Sequence, residues 1–97
     1  MIYFVIGQNI QHEREYMQSM LLNLRPKKFF FDASRYTINA DKYYLVTHIE
    51  QLLGFDNYSI ILLPGYQYAG FLQDHSNMDQ FRYICSTAKE VIYVKQS

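Results

Sequence analysis

The sequence predicts an α/β fold, in which a small four-stranded parallel sheet is covered by helices on both faces. Short apolar segments recur along the chain, as expected of strands that are buried on both faces of a sheet. Amphipathic segments with helical spacing lie between them, and turn residues such as Gly7 and Pro64-Gly65 mark the boundaries. Strands that alternate with helices in this way favour a parallel sheet.

The predicted elements follow the order βαβαβαβ. In chain order they are Ile2–Ile6, Ile10–Leu24, Lys28–Phe31, Asn39–Leu53, Ser59–Leu63, Ser76–Ala88 and Val91–Val94. Right-handed crossovers then favour a doubly wound sheet of order 2-1-3-4, the three-layer sandwich of flavodoxin-like and Rossmann-like folds.

Apolar spacing predicts the first helix and the two strands around it. The segment Ile2–Ile6 is uninterrupted and apolar, so we expect it in the centre of the sheet. From Ile10 onward the apolar residues repeat on one helical face, and Glu13 is assigned with other charged residues mainly to the opposite face. Lys28–Phe31 is a weaker strand because its charged approach also suits a sheet edge, and residues 32–39 are interpreted as a loop.

Caps and turn residues predict the second half. Asn39 or Asp41 caps a predicted helix, and Gly54 stands where its C-terminal cap belongs. The apolar stripe of this helix is Leu45, Ile49, Leu52 and Leu53. A third apolar strand ends at Pro64-Gly65, residues 66–75 form a long loop, and a last helix and strand follow.

Composition and charge narrow the classes of function. The 97 residues correspond to a single α/β domain, residues 1–97, and nine basic residues balance nine acidic ones. This balance disfavours general nucleic-acid binding and attraction to anionic membranes. Cys85 is the single cysteine, so we expect no intrachain disulfide and a cytoplasmic protein. The opening apolar run is too short for a membrane span, and histidine spacing predicts no metal site or cofactor.

The candidate ligand site lies where the first and third predicted strands end. Ligands of doubly wound sheets bind beyond the carboxyl ends of strands, beside the topological switch point. Gly7, Gln8 and Asn9 follow the first strand, and Gly65 and Tyr66 follow the third. Gly7 either lets a ligand approach the backbone or forms a plain turn, and Tyr66 either stacks on a flat ring or packs in the core.

Acidic residues supply the catalytic candidates. Asp79 is the candidate nucleophile or acid/base, and its alternative role is in a capping box with Ser76. Asp74 is a second candidate, and Asp56 either binds a ligand or satisfies turn backbone. Cys85 is interpreted as a buried small hydrophobic residue.

Residues 44–56, YLVTHIEQLLGFD, followed by IILLPGY, resemble the nucleoside 2-deoxyribosyltransferase-like proteins. The resemblance is closest to a small branch with the pattern Y-x-R-x-D-I-x-x-L-x-x-C-D, then a strand, then L-P-G-W. Val46 and His48 stand in place of the Arg and Asp of that pattern. The positions that match are Gly7, Asp56, Gly65 and Tyr66, the last replacing Trp, while Gly70 and a displaced Asp79 are the counterparts in the later S-x-G-A-x-x-E segment.

The resemblance implies a nucleoside or nucleotide at these strand ends, with a carboxylate that attacks the anomeric carbon in the enzymes. We therefore expect a nucleoside- or nucleotide-like small molecule to bind, with catalysis lost or altered. Cleavage or transfer at an N-glycosidic bond through Asp79 is the alternative, and a protein-interaction domain without a small ligand is a third. The ten Tyr and seven Phe residues favour self-association as a homodimer.

Overall fold

A computed structural model describes residues 1–95 as one mixed sheet with helical segments on both faces. The six strands are hydrogen-bonded in the order β2-β3-β4-β1-β5-β6. In chain order the elements are β1 (Ile2–Ile6), α1 (Ile10–Leu24), β2 (Phe29–Phe31), β3 (Arg35–Ile38), β4 (Asp41–Leu45), a 3₁₀ helix (Ile49–Leu52), β5 (Ser59–Leu62), two 3₁₀ turns (Tyr66–Tyr68 and Gly70–Gln73), α2 (His75–Thr87) and β6 (Glu90–Tyr93).

The predicted four-stranded parallel sheet of order 2-1-3-4 is wrong, and with it the flavodoxin-like or Rossmann-like assignment. Strands β4, β1, β5 and β6 do run parallel to one another. However, β3 is antiparallel to both β2 and β4, so the sheet is mixed. The two added strands occupy segments that were predicted as a loop and as the start of a helix.

Strand β4 forms because Asn39 reverses the chain instead of capping a helix. Its φ of 57° lies in the left-handed region, which Asn tolerates better than most residues. Ile38 pairs with Asp41 across this turn, so residues 39–40 form a two-residue hairpin loop. Leu45 then packs in the cluster beneath α1, whereas Ile49 packs on the opposite face of the sheet. The predicted helical stripe is therefore divided between the two faces.

The two central strands confirm the predicted pairing. Strands β1 and β5 are parallel neighbours, with Phe4 opposite Ile60 and Val5 opposite Ile61. Phe4 and Ile60 pack in one cluster while Val5 and Ile61 pack in the other, and all four are buried. Burial on both faces explains why neither segment alternates with polar residues.

The two α-helices begin at polar caps. Asn9 Oδ1 accepts a hydrogen bond from His12 N at 3.0 Å, so α1 begins at the predicted residue. Asp74 Oδ1 accepts from Ser76 N at 2.8 Å, which makes Asp74, and not Ser76, the cap of α2. Across residues 1–95, neither helix combines the length and the apolar character needed to cross a membrane.

Candidate functional site

The carboxyl ends of β1 and β4 and the loop after β5 enclose a cleft of about 290 Å³. This volume is close to the lower limit for small-molecule pockets. A larger groove of about 630 Å³ lies between α1 and the β2–β3 hairpin, but most of its lining residues are exposed helix and loop positions. The lining residues of the cleft are Gly7, Gln8, Asn9, Ile10, Val46, Thr47, Ala69, Gly70 and Phe71.

The first wall of the cleft is the turn at Gly7, whose backbone is hydrogen-bonded to the buried carboxyl group of Glu13. A Cβ atom at Gly7 would lie 3.1 Å from Leu63 Cδ1 and 3.2 Å from Glu13 Cγ, so only glycine fits without displacing its neighbours. Glu13 Oε2 accepts a hydrogen bond from Gly7 N at 2.9 Å. The position of the first wall is thus fixed by α1.

Glu13 is fully buried, and its Oε1 atom has no hydrogen-bond partner among residues 1–95. Burial raises the pKa of this carboxyl group from 4.5 to about 8, while the hydrogen bond from Gly7 acts in the opposite direction. At neutral pH the side chain is therefore mostly the neutral acid. It does not line the cleft, so it supports the Gly7 turn and does not face the space in which a ligand would lie.

The second wall is the end of β4, which the Gln51 side chain holds in place. Gln51 Oε1 accepts hydrogen bonds from Thr47 N at 2.7 Å and from His48 N at 2.9 Å. Its Nε2 donates to Leu45 O at 3.1 Å. One amide side chain therefore satisfies three backbone groups where the strand stops, which fixes the position of Thr47.

The third wall, the loop after β5, is held by two further amide side chains. Gln73 Nε2 donates to Gln67 O at 3.0 Å and to Ala69 O at 3.1 Å. Asn77 Nδ2 donates to Phe71 O at 2.9 Å. All three walls are thus tied to neighbouring elements by side chain-to-backbone hydrogen bonds, so the cleft has its shape before any ligand binds.

The cleft combines a helix N-terminus with an aromatic ring. Ile10, the first residue of α1, lines the cleft, and the backbone amides of a first helical turn have no acceptor within the helix. The N-terminal end of a helix also favours a negative charge. On the other side, the partly buried Phe71 ring packs edge-on against Phe81, with ring centroids 6.5 Å apart. The arrangement suits a ligand with an anionic or hydroxyl-rich end and a flat apolar end.

Four of the predicted ligand-binding residues meet in this cleft, and a fifth lies next to it. Gly7, Gln8, Asn9 and Gly70 line the cleft. Gly65 adjoins Gln8, since a Cβ atom at Gly65 would lie 3.7 Å from Gln8 Oε1. Gly65 has a φ of 84° and Tyr66 N donates to Leu63 O, so Pro64-Gly65 forms the predicted turn.

Tyr66 lies outside the cleft, in a groove beside α2. Its ring centroid is 6.4 Å from that of Phe81 and 6.5 Å from that of Tyr93. The partly buried ring therefore packs against the edge of the hydrophobic core. Burial raises the pKa of Tyr66 above its usual value. In the same groove burial raises the pKa of the Cys85 thiol to about 11, which keeps the thiol protonated at neutral pH.

Two of the three predicted acidic candidates, Asp56 and Asp79, lie outside the cleft. Asp56 is exposed and precedes β5, so it lies at the amino edge of the parallel strands, opposite the edge that carries Gly7. Asp79 is exposed on α2, where its Oδ1 lies 3.4 Å from Arg82 Nη1. Neither residue lines the cleft, and the catalytic role of Asp79 stays a prediction.

Glu13 and Gln51 hold two walls of the cleft, and neither role is predicted from the sequence. The predicted assignment of Glu13 to the charged face of α1 is wrong, because Glu13 is buried beside Met17. Glu13 follows Ile10 by three residues and precedes Met17 by four, so its helical spacing is in fact that of the buried face. Gln51 has no comparable signal, because its role depends on where β4 ends.

Within residues 1–95, no three His, Cys, Asp or Glu side chains are grouped so that they could hold a metal ion. No protein-family model, curated protein or solved structure matches the chain, so its family membership stays a prediction.

Proposed function

We propose that the cleft binds a nucleoside- or nucleotide-like small molecule and that the domain acts as a binding module without catalysis. The observation that carries the proposal is the convergence of the Gly7 turn, the α1 N-terminus and the Phe71 ring on one cleft with fixed walls. When the groups of a site are already in position, less free energy is lost in ordering side chains and loops as the ligand binds.

The ligand class follows from the two ends of the cleft. Backbone amides at the start of α1 suit a phosphate or sugar hydroxyl group, and Phe71 offers an apolar ring to a base. The resemblance of residues 44–56 and of the Pro64-Gly65 turn to nucleoside 2-deoxyribosyltransferase-like proteins supports the same ligand class. We place the protein in the cytoplasm, where a single free cysteine such as Cys85 is ordinary.

A thermal-shift panel of nucleosides, mononucleotides and dinucleotides tests this function. A ligand that binds only the folded state must raise the midpoint of unfolding. Gly70→Phe is expected to fill the cleft and abolish the shift, because Gly70 lines the cleft and has open space where its side chain would begin. Gln80→Phe, on the exposed surface of α2, is the control and should keep the shift. No shift from any compound, or an equal shift in Gly70→Phe, would contradict the proposal.

The absence of catalysis is tested separately. Attack on an anomeric carbon needs a carboxylate within about 3 to 3.5 Å of it, and Asp79 lies outside the cleft. We expect no release of free base when the protein is incubated with the same nucleosides and nucleotides. Base release that is lost in Asp79→Ala would establish the enzymatic alternative instead.

Self-association is the second part of the proposal. Large aromatic side chains remain exposed on this small domain, and the three of β2 are adjacent. Adjacent exposed rings on a sheet edge favour contact with another protein surface. We therefore propose that the protein forms a homodimer.

A further inference from the structure

Strand β2 is an edge strand made entirely of phenylalanine. It is the first strand in the order β2-β3-β4-β1-β5-β6, and among the described residues 1–95 it pairs only with β3. The relative exposures of Phe29, Phe30 and Phe31 are 52%, 56% and 51%. An exposed apolar edge of this kind is a template for pairing with another strand.

The ladder between β2 and β3 determines which backbone groups of β2 remain free. Asn39 N donates to Lys28 O, and Asp32 N donates to Arg35 O. Backbone groups of an antiparallel strand alternate in direction, so residues 28, 30 and 32 face β3. Phe29 and Phe31 therefore direct their N–H and C=O groups toward the open edge.

The charges that flank β2 complement those of a second copy of β2 that runs antiparallel to the first. The sequence is Lys27-Lys28-Phe29-Phe30-Phe31-Asp32, with basic residues before the rings and an acidic residue after them. When two copies run antiparallel with Phe30 opposite Phe30, Lys28 of each lies opposite Asp32 of the other. Asp32 Oδ1 already accepts from Ser34 N and Arg35 N, whereas the contact of Oδ2 within residues 1–95 is one of 4.0 Å to Arg35 Nη2.

The same register also pairs the free backbone groups. Phe29 of one copy lies opposite Phe31 of the other, so their outward N–H and C=O groups face each other and form the hydrogen-bonded pairs of a new ladder. Phe30 then occupies the non-hydrogen-bonded position at the two-fold axis, where side chains approach most closely.

We propose that β2 pairs antiparallel with β2 of a second copy, about a two-fold axis at Phe30. Two six-stranded sheets thereby join into one continuous sheet of twelve strands. The contact uses the same surface on both copies, so it closes at the dimer. This inference rests on the homodimer proposed above and names its interface.

Opposite charges at Phe30 test the register. Phe30→Glu and Phe30→Lys each place like charges face to face at the axis, so each variant alone should associate at least about tenfold more weakly than the wild-type chain. A one-to-one mixture of the two variants places Glu opposite Lys and should recover dimers. Phe30 is exposed, so both variants should remain folded, which circular dichroism checks. Tyr83→Glu, on the exposed face of α2, is the control and should dimerise like the wild type.

Sedimentation velocity over a range of concentrations distinguishes the outcomes. Dimers of the wild type and of the mixture, with monomers of each single Phe30 variant, support the proposal. A wild-type chain that stays monomeric up to about 1 mM overturns both the homodimer and its interface. Dimers that persist in Phe30→Glu, or a mixture that stays monomeric, overturn the β2 interface alone. None of these results depends on the cleft or its ligand.

Discussion

At the scale of single residues, Glu13 supports the Gly7 turn and makes the stability of the fold depend on pH. Its pKa in the folded protein, about 8, lies above the usual 4.5, so the folded state binds this proton more tightly than the unfolded state does. The stability that this contributes is complete below about pH 4.5 and is lost as the pH rises through about 8. Deprotonation would leave a buried carboxylate whose Oε1 atom has no partner in the described part of the chain.

Glu13→Gln is expected to flatten this pH dependence. Glutamine keeps an acceptor for Gly7 N but does not ionise, so the variant should be more stable than the wild type at about pH 9 by a few kcal/mol. The two proteins should have similar stabilities at about pH 5. Urea unfolding across this pH range measures the difference, with exposed Glu15→Gln as the control. Parallel pH profiles for wild type and Glu13→Gln would show that Glu13 is not responsible.

The Gly7 turn makes a second prediction at this scale. In Gly7→Ala the new methyl group would meet Leu63 Cδ1 at 3.1 Å and Glu13 Cγ at 3.2 Å, so we expect a loss of about 1–3 kcal/mol in the free energy of unfolding. Gly70→Ala is the matched control, because its Cβ atom would meet nothing within 4 Å. Equal stabilities of the two variants, measured by urea unfolding, would remove the steric argument for glycine at position 7.

At the scale of elements, the sequence predicts those whose signals are local. The strand Ile2–Ile6 and the helix Ile10–Leu24 have the predicted bounds. An uninterrupted apolar run defines the strand and helical spacing defines the helix, and neither signal depends on contacts with distant residues. Strand β4 was missed because an Asn suits both a helix cap and a left-handed hairpin turn, and tertiary pairing with β1 decides between them. Strand β3 had a readable signal in its alternation, since Tyr36 and Ile38 are buried between less buried residues.

The candidate site was predictable to a similar degree. The parallel pairing of β1 with β5 brings Gly7 and Gly65 to the same edge of the sheet, as the apolar strands imply. Thr47 was not expected there, because it lies in the predicted helix and reaches the cleft only at the end of β4. Phe71 lies in the predicted loop 66–75, and the sequence of an irregular loop does not indicate which way a side chain points.

Gln51 gives a prediction that belongs to the element scale, because it ends β4. Gln51→Leu keeps a side chain of similar size but leaves Thr47 N and His48 N without their acceptor. We expect the free energy of unfolding to fall by about 1–3 kcal/mol, the usual result of leaving polar groups without partners. Gln11→Leu is the control, since the Gln11 side chain donates a hydrogen bond to Glu15 on the exposed face of α1. Unchanged stability of Gln51→Leu in urea unfolding would show that water replaces the side chain.

At the scale of the whole molecule, one sheet carries the proposed ligand cleft and the proposed dimer edge at separate places. The cleft lies beyond the ends of β1 and β4, whereas the free edge belongs to β2, two strands away from β4. Neighbouring strands are about 4.8 Å apart, which puts the two strand axes about 10 Å from each other. Substitutions at this separation without shared contacts usually have additive effects.

Ligand binding and dimerisation should therefore be independent. Phe30→Glu is expected to lose the dimer and keep the thermal shift from the ligand, because Phe30 does not line the cleft. Gly70→Phe should show the reverse pattern, and the double variant should lose both properties. Sedimentation velocity with and without saturating ligand gives the direct measurement, and its dimer dissociation constant should not change. A constant that shifts with ligand would mean that the two sites share a coupling free energy, and by linkage Phe30→Glu would then alter ligand affinity by the same factor.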